Sequence, residues 1–166
     1  KKYSKHLNYI SQDFGSYEGG DMYGNKSIWQ SKNCSIISDI CDIPLENESI
    51  DNILCSEVFE HLPNPHLALK ELTRLLKKGG TILITAPFRC LYHQEPFFFY
   101  SGFSKYWYEH FGKENNLKIL KIKPNGNYFT DLAQEVIRGL TFGSRFLKIF
   151  GLILSIPYYL YLIFLD

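Results

Sequence analysis

Apolar residues along this chain fall into short compact runs that alternate with longer segments of helical spacing. The runs "CSIIS" (34–38), "IDNILCS" (50–56) and "TILITAPF" (81–88) predict buried strands. The stretches "LNYISQDF" (7–14) and "LKILKIKP" (117–124) predict two more strands. The glycine-rich stretch "GSYEGGDMYGN" (15–25) predicts a loop between the first strands.

Helical spacing is clearest in "HLALKELTRLLKK" (66–78), where leucines recur on one face. Asn64 suits the N-cap, Pro65 suits the first helical position, and Gly79 suits a left-handed C-terminal cap. The stretches "SKYWYEHFGKEN" (104–115) and "FTDLAQEVIRGL" (129–140) predict two more helices.

Strands that alternate with helices predict an α/β fold. We expect a Rossmann-like, mostly parallel sheet with helices on both faces. The pattern places this domain at residues 1–143 and leaves an apolar helical tail at residues 144–166. Ligands of such sheets bind at the carboxyl ends of the strands, so the residues that follow each strand are the first candidates for function.

Composition narrows the classes of function. The 166 residues carry a formal net charge of +1, which gives no field that would attract nucleic acid. The four cysteines form no C-x-x-C pair, which favours free thiols in a reducing compartment and a cytoplasmic protein.

Acidic residues follow three predicted strands in series. Asp13, Asp39 and Glu57 each come at or just after the end of an apolar run. A single such acid is often a solvated loop residue, but three in series indicate a common edge of the sheet.

The segment "EVFEH" (57–61) places two carboxylates and a histidine within five residues. It resembles the metalloprotease pattern H-x-x-E-H, but its first position is Glu57 and no third ligand is evident. The sequence therefore predicts no metal site. For Glu60 and His61 we expect capping and hydrogen bonding in the turn before the helix, whereas Glu57 suits either a structural or a functional role.

The stretch "SDICDIPLENESIDNILCSEVFEHLPNPHLALKELTRLLKKGGTILITAPF" (38–88) resembles the core of class I S-adenosylmethionine-dependent methyltransferases. The resemblance is to the methyltransferase type 11 group related to the ubiquinone-biosynthesis methyltransferases. Its parts are the acid-x-x-x-Ile-Pro run, the Ser-Ile-Asp strand start, Glu-Val-Phe-Glu-His, and Leu-Lys-Lys-Gly-Gly before a strand.

The resemblance implies roles for the strand-end residues, with S-adenosyl-L-methionine as the cofactor. Asp13 matches the acid that accepts hydrogen bonds from the ribose hydroxyls. Asp39 matches the acid that faces the adenine amino group, with Ile40 beside it. Cys55, Ser56 and Glu57 match the residues that border the methionine end.

An aromatic segment, "CLYHQEPFFFYSGFSKYW" (90–107), follows the strand at 81–88. In related enzymes this region covers the active site, so its aromatic residues suit an apolar or planar acceptor or a lid packed on the core. His93 and Glu57 are the candidate catalytic bases for an acceptor hydroxyl. The expected acceptor is a small molecule or a lipid-like molecule, and the alternative is a non-catalytic, methyltransferase-like binding or membrane-associated module.

The family's first strand and glycine-rich turn have no counterpart before Asp13. We therefore expect them to lie upstream of Lys1, and we expect residues 1–166 alone to bind the cofactor poorly. At the other end, residues 146–165 are almost wholly apolar and contain one charge, Lys148. This tail suits either contact with a membrane or packing on the domain or on a partner.

Overall fold

A computed structural model describes residues 7–20, 26–31 and 33–140, with residues 156, 157, 160, 161 and 164 near the C-terminus. The chain forms two compact units, Lys1–Leu120 and Lys121–Asp166. The boundary predicted between residues 143 and 144 falls inside the second unit.

The longest strands of the first unit form a parallel pair. Strand β5 (Ile50–Ser56) lies beside β6 (Leu76–Thr85), with Cys55 opposite Ile84. A 3₁₀ turn, η1 (Phe59–His61), and helix α1 (Pro65–Leu75) connect them. This is a strand–helix–strand crossover, and it confirms the α/β fold that the alternating pattern predicted.

The two faces of this pair have different surroundings. One face packs in the core cluster with Leu69 and Leu72 of α1. On the other face Leu54 and Leu83 lie opposite each other and are 70% and 59% exposed. Among the described residues, no helix of the first unit covers Leu54 and Leu83 on this second face. The core-facing strand residues are Ile53, Cys55, Ile82 and Ile84.

A second, shorter parallel pair precedes it along the chain. Strand β1 (Gln12–Asp13) pairs with β4 (Ile36–Ile37), and Asp13 lies opposite Ile37. Both strands are shorter than the apolar runs predicted, because the backbones pair only at Gln12 with Ile36 and at Asp13 with Ile37. Within the described residues this pair and the β5–β6 pair are separate two-stranded sheets, not one continuous sheet.

The glycine-rich stretch predicted as a loop forms half of a β-hairpin. Strand β2 (Ser16–Gly20) pairs antiparallel with β3 (Lys26–Gln30). Only glycine fits at position 19 of this strand, because a Cβ there would collide with the carbonyl oxygen of Glu95. Gly19 permits close backbone packing here, and the loop prediction was wrong for residues 16–20.

Three further expectations need correction. Helix α1 ends at Leu75 because Leu76 is already extended (φ −74°, ψ 129°), so Lys77, Lys78 and Gly79 belong to β6 and not to the helix end. The Asn64 side chain makes no capping hydrogen bond, whereas Pro65 does occupy the first turn. The stretch 117–124 forms no strand, since it has no ladder partner among the described residues.

The two remaining predicted helices are present. Helix α2 (Lys105–Glu114) lies in the first unit, and α3 (Tyr128–Leu140) lies in the second. Asn127 caps α3, since its Oδ1 accepts a hydrogen bond from the backbone N–H of Phe129 at 2.7 Å.

The predicted apolar tail, Phe146 to Leu165, lies outside the described residues apart from a few positions. Among the helices that are described, none has both the length and the apolar character needed to cross a bilayer.

Candidate functional site

The carboxyl ends of β1 and β4 bring two of the predicted acids to one edge. The strands are parallel, Asp13 is the last residue of β1, and Asp39 follows β4 by two residues. The backbone N–H of Ser38 donates to the carbonyl of Asp13 at 3.0 Å, which joins the two strand ends. The geometry predicted for this pair of acids is therefore found. Glu57 follows β5, which among the described residues belongs to a separate sheet, so the common edge expected for all three acids is not found.

Each of these acids closes a tight turn with one carboxylate oxygen. Oδ1 of Asp13 accepts from the N–H of Gly15 at 2.8 Å, and Oδ1 of Asp39 accepts from the N–H of Cys41 at 2.8 Å. Gly15 has φ +110°, a conformation that glycine adopts readily. Asp13 is half-buried and Asp39 is exposed, while Ile40 packs against the core cluster. The turns fix the orientation of both carboxylates at the sheet edge.

The end of β5 holds Ser56 and Glu57. The hydroxyls of Ser56 and Thr85 lie 2.8 Å apart, and Thr85 Oγ1 donates to Oε1 of Glu57 at 2.8 Å. Glu57 adopts a left-handed backbone conformation with φ +52°, which turns the chain sharply from β5 into η1. Ser56 and Glu57 are exposed, whereas the predicted site residue Cys55 is 5% exposed and faces the core.

The η1 turn buries the second carboxylate of the "EVFEH" segment. Glu60 is 2% exposed, and its Oε2 has no hydrogen-bond partner. Its Oε1 lies 3.7 Å from Nε2 of His61. The main chain of Glu60 is bonded, since its carbonyl accepts from the N–H groups of Phe99 and Tyr100 at 3.0 and 3.2 Å. Glu60 thus lies in the turn before α1, as the sequence predicted, but its Oε2 makes none of the hydrogen bonds expected there.

His93 lies on the segment that follows β6, and that segment folds over the η1 turn. The rings of His61 and His93 are 4.9 Å apart in an edge-to-face arrangement. Backbone hydrogen bonds of 3.0 and 2.7 Å between Gly20 and Glu95 join the same segment to β2. The His61–His93 contact was not predicted, because no local pattern relates two histidines on separate segments.

Burial and the acidic side chains together shape the electrostatics of this region. Burial raises the pKa of Glu60 above its usual range. Burial, reinforced by Glu60, raises the pKa of the Cys55 thiol to about 12. Burial and then the charges of Glu60 and Glu57 raise the pKa of Tyr108 to about 12. The interior beside η1 therefore disfavours additional negative charge.

Open depressions lie on two sides of α2. The first, of about 490 Å³, includes Glu109 and Lys113, and the second, of about 380 Å³, includes His66 and Phe111. None of the predicted site residues lines either of them. Of the strand-end residues, Asp39, Ser56 and Glu57 are exposed and Asp13 is half-buried.

Comparison with known proteins identifies a region that overlaps most of the stretch 38–88, on which the resemblance rests. Residues 20–84 match the family model described as a methyltransferase domain. A ubiquinone biosynthesis O-methyltransferase from Glaesserella parasuis serovar 5 (strain SH0165) is 42% identical over 40 residues. That alignment covers 24% of this chain and only 17% of the relative, and no solved structure gives a significant match. These matches confirm, for the central part of the chain, the resemblance to class I S-adenosylmethionine-dependent methyltransferases.

Proposed function

We propose that the protein transfers a methyl group from S-adenosyl-L-methionine to a small-molecule or lipid-like acceptor. The observation that carries this proposal is the position of Asp13 and Asp39 at the carboxyl ends of two adjacent parallel strands. Carboxyl ends are where ligands bind in sheets of this class.

The two acids suit the polar groups of the nucleoside. A carboxylate has two oxygens, and the turn at each site engages Oδ1. The other oxygen of Asp13 can accept from the ribose hydroxyls, and that of Asp39 can accept from the adenine amino group. Ile40, next to Asp39, offers an apolar contact for the adenine ring.

Ser56 and Glu57, at the end of β5, would border the methionine end of the cofactor. Thr85 holds the Glu57 carboxylate in place, so Glu57 is the group we favour for accepting a proton from an acceptor hydroxyl. Methyl transfer otherwise depends mainly on alignment, since the methyl group passes in line from a sulfonium to the nucleophile and the thioether leaves neutral.

The test is a calorimetric titration of the full-length protein with S-adenosyl-L-methionine. We expect Asp39→Ala to weaken binding by roughly 5–150-fold, because a lost hydrogen-bond partner costs about 1–3 kcal/mol. Asp42→Ala is the matched control, since Asp42 is an exposed carboxylate in the same loop and its loss should leave affinity unchanged.

Equal affinities for the wild type and Asp39→Ala would contradict the proposed cofactor site. Transfer of an isotopically labelled methyl group to a panel of hydroxylated small molecules then tests the reaction itself. Cofactor binding with no transfer to any acceptor would favour the alternative, a non-catalytic binding module.

A further inference from the structure

Glu60, His61 and His93 form a cluster that does not include the strand-end residues proposed to bind the cofactor. One possible ligand atom from each residue lies within 4.8 Å of the corresponding atoms of the other two. Among the described residues this is the group of His, Cys, Asp and Glu side chains whose spacing suits a metal ion. Ligands around a tetrahedral zinc lie roughly 3.4 Å apart, given bonds of about 2.0–2.1 Å. Small side-chain movements would therefore bring the three atoms to bonding positions.

Both imidazoles make a hydrogen bond of the kind that metal-ligating histidines make. Nδ1 of His61 lies 2.6 Å from the carbonyl oxygen of Phe97, and Nδ1 of His93 lies 2.8 Å from that of Leu91. A carbonyl oxygen can only accept, so each Nδ1 carries the hydrogen and donates it. In the neutral rings the lone pair is then on Nε2. This pairing of one nitrogen with a carbonyl fixes the tautomer of metal-binding histidines in general.

The buried carboxylate supplies independent evidence. Glu60 is 98% buried, and its Oε2 finds no hydrogen-bond partner in the described structure. The 3.7 Å separation between Oε1 and Nε2 of His61 is too long for a hydrogen bond. Proteins rarely leave a buried carboxylate without a cation or a donor, because its desolvation is not compensated. A cation between Glu60 and the two Nε2 atoms would supply that compensation.

We propose that Glu60, His61 and His93 bind one divalent first-row transition-metal ion, with zinc as the best fit. Two imidazoles and one carboxylate suit zinc and its neighbours, whereas magnesium and calcium prefer ligand sets made only of oxygen. Three protein ligands leave one position of a tetrahedral ion open to solvent or to a bound molecule. The site goes beyond the proposed methyl transfer, and its existence does not depend on it.

The proposal revises two expectations from the sequence. The absence of a third ligand argued against a metal site, but the fold brings His93 from the segment after β6 to the "EVFEH" turn. His93 was also a candidate base, and a single Nε2 lone pair cannot both bind a metal and take the proton of an acceptor. The metal site therefore assigns His93 to coordination, and Glu57 remains the candidate base.

The test is a calorimetric titration of chelator-treated protein with ZnCl₂. We expect one ion per chain and a melting temperature about 5 °C higher or more at saturating zinc, because a ligand that binds only the folded state stabilises it. His93→Asn should lower the affinity at least tenfold. His110→Asn is the matched control. Nε2 of His110, an exposed histidine, lies 3.4 Å from Oε1 of Glu114, but this pair has no third ligand among the described residues.

Folding and specificity need separate checks. His93 is only half-buried, so His93→Asn should keep the circular dichroism spectrum of the metal-free wild type. Glu60→Gln, which keeps the shape of the side chain, should likewise weaken zinc binding, and both variants should weaken the visible absorption of bound Co²⁺. The proposal fails if the wild type takes up no zinc, or if His93→Asn and His110→Asn change the affinity equally.

Discussion

The end of β4 and the end of β5 both present acidic side chains, but different interactions hold the two regions. The loop after β4 is tied to α1 by charged groups. Glu71 accepts from the N–H of Ile43 at 2.8 Å, and Arg74 donates to the carbonyls of Ile43 and Leu45 at 3.0 and 2.8 Å. Arg74 also forms an ion pair with Glu71 at 2.7 Å. A single side-chain network thus holds the chain that leads away from Asp39.

The end of β5 is instead held by aromatic packing. Phe59, two residues after Glu57, is fully buried. Its ring lies 5.5 Å from that of Trp107 and 6.3 Å from that of Phe103, both in edge-to-face arrangements. Apolar burial is insensitive to pH, whereas an ion-pair network loses strength when one member is neutralised. The comparison therefore separates an anchor that depends on charged groups from one that depends on apolar burial.

The largest effect should follow from removing the aromatic anchor. We expect Phe59→Ala to lower the free energy of unfolding by about 3–5 kcal/mol, through lost burial and the cavity left behind. Urea denaturation at neutral pH measures it. Phe14→Ala is the control, since Phe14 is 61% exposed and contacts Phe97 at a ring distance of 6.0 Å; it should cost less than about 1 kcal/mol. Similar costs for the two variants would mean that packing does not hold the β5 end.

A smaller and pH-dependent effect should follow from neutralising the network. Glu71→Gln should cost about 1–2 kcal/mol at pH 7, because it weakens charge-assisted hydrogen bonds to Arg74 and to the backbone of Ile43. The bonds from Arg74 lower the pKa of Glu71 below its usual value. The native carboxylate therefore contributes stability above its unfolded pKa and loses it as pH falls through the lowered folded pKa.

The difference between the wild type and Glu71→Gln should consequently shrink as the solution is acidified below about pH 4.5. Urea titrations at pH 7 and at several acidic values measure this difference. The effect of Phe59→Ala should stay constant over the same range. A Glu71→Gln cost that does not change with pH would show that the side chain acts through packing and not through its charge.

The smallest effect should come from a surface ion pair at the opposite end of the β5–β6 pair. Lys77 lies 2.9 Å from Asp51, but the two side chains are 45% and 74% exposed. Lys77→Ala should change stability by about 0.5 kcal/mol or less, because solvent screens such pairs. Thermal melts in low and high salt measure this change in stability. A loss of stability as large as that of Glu71→Gln would contradict the distinction between buried and exposed charge pairs.

The sequence predicted the elements that carry a strong internal pattern. Strand β5 begins and ends where the apolar run does, and α1 follows its leucine spacing. The end of α1 was misplaced because Leu76, Lys77 and Lys78 fit a helical face as well as a strand. Leu76 pairs with Ile50 of β5, so the chain from Leu76 onward joins strand β6 and not the helix. A local pattern cannot show such pairing between distant residues.

The remaining errors have the same origin in long-range contacts. The hairpin of β2 and β3 depends on pairing between segments whose glycines resemble a loop. The stretch 117–124 mixes lysines with β-branched and other apolar residues and so resembles a strand, but no described strand lies beside it. At the site, matching positions after strands were enough to place Asp13 and Asp39 together. The approach of His93 to Glu60 depends on how the segment after β6 folds.

The left-handed backbone of Glu57 limits how this chain can evolve. Glycine, asparagine and aspartate adopt φ near +52° at low cost, while valine, isoleucine and threonine do so poorly. Lineages that keep the turn from β5 into η1 should therefore vary at this position only within a narrow set of residues. A β-branched residue at this position would strain the turn that leads into Glu60 and His61. The conformation of one exposed residue therefore affects the placement of two others.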